Sequence, residues 1–439
     1  MTAPWIADPD IESAAQLYLP LTVAVIGRLV RGPRPRQFAA CLLSVMWTLP
    51  ALIVLQLFNL RAGWWTYSYT PFQFHGMPFE SLIGWAVLWG LLPQLLFPRL
   101  GLLWVAAIMA TADLIYMPLC SGVVQLGPHW LVGEAVALLV VLAPSLCIAR
   151  WTYENTHPRA RSTIQVVTAA MLFLLLIPDI IFTFYKADGW APLLHGAGWQ
   201  LQIWIQLLLL VAVPGISAVM EFAERGRGTP IPYDPPPRLV TSGMYRFCAN
   251  PMQLSSALVM LLWAVILRSK WIVAAAVMSA IYSAGVARWD ESQDLSERFG
   301  AAWQRYRQTV HDWRIRWLPY HAGPDAMVFI AATCGSCSEL RRWILARAPI
   351  GLQIVDAETL PAHSIITRMR YDPGDGSAPL EGVRAMARVL EHLNFGWAFA
   401  GAILRLPLVW QAVQLCMDAS GLGPRNLPPA VSQGLDKQS

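Results

Sequence analysis

Charge is what this chain has least of. Only 13% of its 439 residues are Asp, Glu, Lys or Arg, about half the usual share of a soluble domain. That scarcity excludes an ordinary soluble fold. The net charge is +5, and the arginines sit in loops rather than in one basic stripe, so a nucleic-acid partner is not expected. Cysteine is sparse too. Of seven, Cys41, Cys120, Cys147 and Cys416 lie scattered among apolar residues and read as packing side chains. Cys334 and Cys337 form one CxxC. Neither a second CxxC nor a nearby His pair completes a tetrahedral set, so no metal is expected. The leader also lacks the basic start of a signal peptide: it carries Asp8, Asp10 and Glu12. The first apolar segment therefore reads as a retained helix.

Long apolar runs take the place of charge. Helices are expected near 14–30, 37–59, 79–97, 102–120, 130–149, 163–185, 198–221, 252–268 and 271–288. Most approach the roughly 20 residues that cross a bilayer; the last two are shorter and suit a hairpin that spans only partly. Arg28, Arg31, Arg34 and Arg36 follow the first helix, Arg99 the third, and Arg150, Arg159 and Arg161 the fifth. Arg225, Arg227, Arg238 and Arg246 follow the seventh. The positive-inside rule then puts the N-terminus outside and the C-terminal region in the cytoplasm. We expect an all-α polytopic membrane protein of about nine transmembrane helices, sited in a bacterial inner membrane, with a C-terminal α/β cytoplasmic domain. The expected domains are 1–195, 196–320 and 321–428, with a disordered tail at 429–439.

The segment 222–320 carries the clearest chemistry. Gly226, Gly228, Pro230, Pro232 and Pro235–Pro237 form a loop that cannot be helical and is placed to fold over a ligand. Asn250-Pro251 then starts a helix, Asn as a favoured N-cap and Pro at the first helical position. Its N-terminal N–H groups suit an anionic or polar ligand group. After the hairpin, Arg288-Trp-Asp-Glu-Ser-Gln-Asp294 brings carboxylates out of the membrane. Leu295, Phe299, Trp303 and Tyr306 recur at three- and four-residue spacing, the mark of an interfacial amphipathic helix. Taken alone, Glu291 reads as an interfacial carboxylate paired with Arg288 or Arg298.

Those two stretches and the hairpin between them resemble the isoprenylcysteine carboxyl methyltransferase and phospholipid methyltransferase superfamily, over roughly residues 200–320. Its usual form is Gly-x-Tyr-x-x-x-Arg-His-Pro-x-Tyr, then Glu-Glu-x-x-Leu-x-x-x-Phe-Gly-x-x-Tyr-x-x-Tyr. Gly243, Tyr245, Pro251, Glu291, Leu295, Phe299, Gly300 and Tyr306 stand where that pattern asks, and Trp303 replaces an aromatic. Ala249 stands for the Arg, Asn250 for the His, Gln253 for the Tyr and Ser292 for the second Glu. The resemblance implies S-adenosylmethionine as cofactor, bound by Gly243, Tyr245, Asn250, Pro251, Gln253 and Glu291, with Glu291 also at the reacting centre. Catalysis in such a site is mainly positioning for in-line attack, which needs no Ser/His/Asp set. The four departures keep open a scaffold that has lost transfer activity.

A boundary falls near Pro319–Pro324. Ala326–Ile330 reads as a buried strand, Cys334-Gly-Ser-Cys337 follows, then a helix over Ser338–Ala346 and a second strand at Leu352–Val355. A strand leading into CxxC at a helix start is the thioredoxin-like arrangement. There the helix N-terminus favours the thiolate of the first cysteine, making Cys334 the nucleophile and Cys337 the resolving thiol. Ile365–Tyr371 and the turn Asp372–Gly376 continue the pattern, and helices are expected over Gly382–Leu393 and Trp397–Val413. The stretch 325–428 resembles the DCC-type thiol-disulfide oxidoreductase-like family. It departs at Ala331-Ala332-Thr333, where that family carries an Asp-Gly pair.

The first 190 residues say less. Trp64–Tyr67 and Phe74–Glu80 resemble, faintly, membrane lycopene cyclase-like carotenoid proteins. Asp113, Glu134 and Asp179 fall within or beside apolar helices, where carboxylates are costly and often functional. The reading as a whole is a membrane methyltransferase acting on a lipophilic or lipid-linked acceptor, an isoprenoid, lipid or thiol or carboxyl compound. It carries a fused CxxC domain served by a cytoplasmic thiol reductant. The alternative is a membrane thiol-disulfide oxidoreductase, or an isoprenoid-modifying protein, on an inactive methyltransferase-like scaffold.

Overall fold

A computed structural model describes residues 9–32, 35–68, 72–185, 189–226, 238–360 and 367–424. Most of the Gly/Pro loop at 226–237, the start of the Ile365–Tyr371 strand and the 429–439 tail lie outside the described residues. The described residues fall into two compact units, 9–189 and 190–424.

The first unit is a helical bundle. Its apolar helices are α1 (Pro9–Val30), α2 (Arg36–Ala62), α3 (Phe79–Leu96), α4 (Leu102–Leu119), α5 (Trp130–Glu154) and α6 (Pro158–Tyr185). Each is long and apolar enough to cross a bilayer. Pro50 in α2 and Pro118 in α4 sit inside these helices, as neighbouring helices in a membrane allow. Helix association uses small hydroxyls, a common device where no hydrophobic drive exists. Ser44 and Ser145 join α2 to α5 at 2.6 Å, and Ser145 donates to the Trp89 carbonyl of α3 at 3.0 Å. Short strands, which periodicity did not reveal, tie the loops. The strand β1 (Trp65–Tyr67) runs antiparallel to β4 (Val124–Leu126), and β2 (Gln73–Phe74) to β3 (Met77–Pro78).

In the second unit a helical turn at Ala191–Leu194 precedes α7 (Gly198–Gly226), the seventh helix of spanning length among the described residues. The next two, α8 (Pro251–Leu267) and α9 (Lys270–Gly285), are shorter. The 17 residues of α8 cover only about 25 Å, less than the roughly 30 Å hydrocarbon core. Of the nine helices expected from the apolar runs, seven reach spanning length among the described residues and α8 and α9 do not. The α8–α9 turn closes through left-handed Arg268 and Ser269, whose Oγ accepts the Ile272 N–H. Helix α10 (Arg288–Thr309) is not one straight amphipathic rod: it kinks at Gly300 (φ 49°, ψ −124°), a conformation nearly confined to glycine.

After α10 come β5 (Ala326–Ile330), α11 (Gly335–Leu345), β6 (Leu352–Asp356), β7 (Arg370–Asp372), β8 (Leu380–Glu381), α12 (Gly382–Leu390), α13 (Phe395–Arg405) and α14 (Val409–Met417). The sheet order is β6-β5-β7-β8, with β5 and β6 parallel and the other pairs antiparallel. The single helix expected over 397–413 is broken. Pro407 cannot continue α13, Leu408 takes a left-handed φ of 70°, and the apolar pair Phe395–Arg405 and Val409–Leu422 is bent by 92°. Together the two halves are as apolar as a membrane span.

One ionic cluster knits this unit. Glu221, at the end of α7, is 0% exposed. It accepts from Arg388 of α12 at 2.8 and 2.9 Å, and from Arg405 of α13 at 2.6 Å. Both arginines also reach Glu391, at 3.2 and 2.8 Å. Around it, Val213 and Met244 pack against Ala402, Phe399 and Ile403. Removing one partner of a buried pair strands the others and costs about 3–5 kcal/mol. Glu221→Ala is therefore expected to lower the thermal midpoint in detergent and to speed proteolysis after residue 320. An unchanged midpoint would contradict this assignment.

Candidate active site

The loop 238–250 is shaped by its partners. Gly243 opens a short 3-10 turn over Gly243–Arg246 at φ +61°, which other residues adopt at a cost. A Cβ there would come 3.2 Å from Glu221 Cδ. The preceding Ser242 donates to Glu221 Oε1 at 2.5 Å, so the ionic cluster holds this turn directly. Downstream, backbone bonds lash the loop to 311–320. Ala249 N donates to His311 O, Arg316 N to Phe247 O and Tyr320 N to Arg246 O, at 2.9–3.0 Å. Tyr306 of α10 donates its phenol to the Tyr245 carbonyl at 2.8 Å.

Asn250 and Glu291 meet here. Asn250 Nδ2 donates to Glu291 Oε2 at 3.3 Å and to Asp312 Oδ1 at 3.0 Å. Asp312 is 5% exposed and is clamped by Arg307 through two bonds of 2.7 and 2.6 Å, with Arg288 at 3.3 Å. Asn250 therefore does not cap α8, contrary to the sequence expectation: its side chain makes no capping bond. Two carboxylates draw its amide away, leaving the first N–H groups of α8 without a side-chain cap. Pro251 is the first residue of α8, and Gln253 sits in its first turn.

Buried polar atoms of this turn and the start of α8 that have no hydrogen-bond partner in the described structure include Tyr245 Oη, Arg246 Nε and Gln253 Oε1. Burial keeps the Tyr245 phenol protonated, well above its usual range. Burial also raises the Glu291 carboxyl above the usual carboxylate value, opposed by the Asn250 hydrogen bond. The site thus combines an unsatisfied phenol donor, an amide acceptor, uncapped helix N–H groups and a carboxylate reluctant to ionise.

Sequence reasoning missed Asp312, Arg307 and Glu221. A carboxylate closing a long apolar helix was a signal for Glu221. Asp312 lies beyond the motif, and only the chain's return toward Ala249 brings it to Asn250. Cys334 and Cys337 stand elsewhere, against a cavity of about 420 Å³ whose lining includes none of these loop residues. Cys334 occupies the N-cap position of α11, which starts at Gly335, three residues earlier than expected.

Residues 205–302 match the family model described as phospholipid methyltransferase. The methyltransferase-like segment thus runs from α7 through the hairpin to the kink of α10, and includes Gly243, Tyr245, Asn250, Pro251, Gln253 and Glu291. Asp312, Arg388 and Arg405 lie outside it. No curated protein and no solved structure matches the chain.

In the first unit, Asp179 pairs with His75 at 2.5 Å. Glu12 accepts the N–H groups of Gly122 and Val123 at 2.8 and 3.1 Å. Asp113 is buried beside Glu134. Glu80 sits in the first turn of α3, and its Oε2 has no partner in the described structure.

Two predictions follow from this geometry. Gly243→Ala pushes a methyl group toward Glu221 in a strained conformation and should weaken ligand binding to the loop more than it lowers the thermal midpoint. For Glu291, a raised folded pKa means the folded chain keeps a proton that the unfolded chain releases near pH 4–4.5. Its ionisation thus costs stability as pH rises through the folded value. Glu291→Gln should raise the thermal midpoint at pH 8 and leave it little changed below pH 4; an equal shift at both would exclude this cause.

Proposed function

We propose that the chain is a membrane-embedded S-adenosylmethionine-dependent methyltransferase whose acceptor is lipophilic. The family match over residues 205–302 carries the reading, and the residues around the Gly243–Pro251 turn fit the group. Tyr245 Oη and Gln253 Oε1 await partners. The uncapped start of α8 suits a carboxylate. Glu291 is placed to accept from a ribose hydroxyl or an ammonium. When bound, S-adenosylmethionine supplies an electrophilic methyl group on a good leaving group.

The protein's own work is then orientation and exclusion of water. Asn250 and Asp312 occupy the neighbourhood that a histidine and a second carboxylate serve in the family pattern. Asp312, held by Arg307, orients Asn250, and Asn250 orients Glu291. This offers a physical reason why Asn at 250 and Ser at 292 need not abolish binding, and favours an active site over an inert scaffold. The short α8–α9 hairpin leaves part of the bilayer thickness open beside the site, a route for an acceptor with an isoprenoid or acyl chain.

For residues 321–424 we infer a thioredoxin-like domain. The support is the β6-β5-β7-β8 order with β5 parallel to β6, and a CxxC that places Cys334 at the start of α11. On this reading Cys334 is the nucleophile, Cys337 resolves, and a small cytoplasmic thiol restores the pair.

The test is binding of S-adenosylmethionine to purified protein by calorimetry. Saturable binding is expected, lost in Glu291→Ala and weakened at least about tenfold in Asp312→Asn, the worth of a charge-assisted hydrogen bond network. Absence of binding to folded protein would refute the methyltransferase reading.

A further inference from the structure

The cavity beside the CxxC is apolar along most of its wall. Cys334 and Cys337 line it, with Leu340 from α11, Met386 from α12, Leu404 from α13 and Met417 from α14. Its volume of about 420 Å³ lies in the range of small-molecule sites, roughly 300–1,000 Å³. Two of the polar side chains on its wall, Arg368 and Gln414, are engaged with neighbours, although Arg368 Nε has no partner in the described structure. Arg368 donates to Asp418 at 2.7 Å, Gln414 donates to Asp418 at 2.8 Å, and Gln414 accepts the Val383 N–H at 2.9 Å. Methionines at such a wall adapt to irregular apolar ligands.

The wall helices also face outward as a membrane element would. The bent pair α13–α14 is as apolar as a span, and Leu408 and Leu415 on it are 78% and 69% exposed. Exposed leucines on an apolar broken helix suit a lipid contact. An apolar cavity thus has a dithiol in its wall and a lipid-compatible helix pair as another part of that wall.

We propose that this cavity seats the apolar chain of a bilayer-borne disulfide, which the Cys334–Cys337 pair reduces. The inference rests on the redox reading of the CxxC given above. The Cys334 thiolate attacks the substrate sulfur that carries the chain. The substrate S–S bond breaks, one thiol leaves and takes a proton, and Cys334 holds the chain as a mixed disulfide. Cys337 then attacks Cys334 Sγ, releasing the chain-bearing thiol and closing Cys334–Cys337. Two electrons and two protons pass from the dithiol to the substrate, so one reduction by the reduced pair needs no other reactant; the cytoplasmic thiol named above then restores the dithiol for the next. Methionine side chains and leucines serve the chain, and the cysteines serve the sulfur; a soluble protein disulfide would make little use of such a cavity.

The experiment uses reduced full-length protein in detergent, with methyl and octyl 2-pyridyl disulfides as probes. Pyridinethione release reports attack, and mass spectrometry of tryptic peptides assigns it to Cys334 or to Cys416. Cys416 is exposed on α14 and reports how each probe partitions into the micelle. Relative to Cys416, Cys334 should react at least about tenfold faster with the octyl probe than with the methyl probe, as burial of the chain requires. That ratio should fall toward one in Met386→Trp and, independently, in Leu404→Trp. No chain-length preference at a Cys334 that reacts and closes on Cys337 would overturn the cavity proposal and leave the redox reading standing. A Cys334 unreactive to both probes, in protein whose Cys416 reacts, would overturn the redox reading as well.

Discussion

The second unit depends on a buried carboxylate, Glu221. It ends an apolar helix, and three other segments converge on it: the Ser242–Gly243 turn, Arg388 and Arg405. Three carboxylates (Glu221, Glu224, Glu391) face three guanidiniums (Arg225, Arg388, Arg405). Burying one charge is prohibitive, whereas a balanced and hydrogen-bonded set can persist. The cluster ties the shape of the candidate cofactor loop to α12 and α13. The C-terminal residues Arg388 and Arg405 thus help to fix the shape of a loop inside the segment that matches the methyltransferase family model.

A second constraint is geometric. The loop following α7 turns at Gly243, and its next residues are bonded to 311–320 by backbone groups. That return brings Asp312 and Arg307 to Asn250 and Glu291. The effect is a polar cluster built from residues up to 62 positions apart, next to helices with few polar atoms. Glu291 is poised between burial, which disfavours its charge, and Asn250, which favours it.

Much of this was legible. Low charge and recurrent apolar runs announced a polytopic membrane protein, because each span must be apolar over its whole length. The motif residues Gly243, Tyr245, Pro251 and Glu291 pointed to the segment that the family match covers. Other features were hidden for physical reasons. The break at Pro407–Leu408 falls inside an unbroken apolar pattern, so periodicity ran through it. Asn250 is a good cap by propensity, and only the tertiary approach of Glu291 and Asp312 turns it away. The Glu221–Arg388–Arg405 cluster spans more than 160 positions, beyond any local signal. The kink at Gly300 was masked by the heptad-like spacing of Leu295, Phe299 and Trp303.

The most direct measurement of the central claim is amide hydrogen exchange across the chain with and without S-adenosylmethionine. Protection confined to residues 239–254 and the start of α10 is the result this account predicts, because those amides surround Tyr245, Asn250, Gln253 and Glu291. Protection elsewhere with none in that loop, at a saturating concentration, would contradict it.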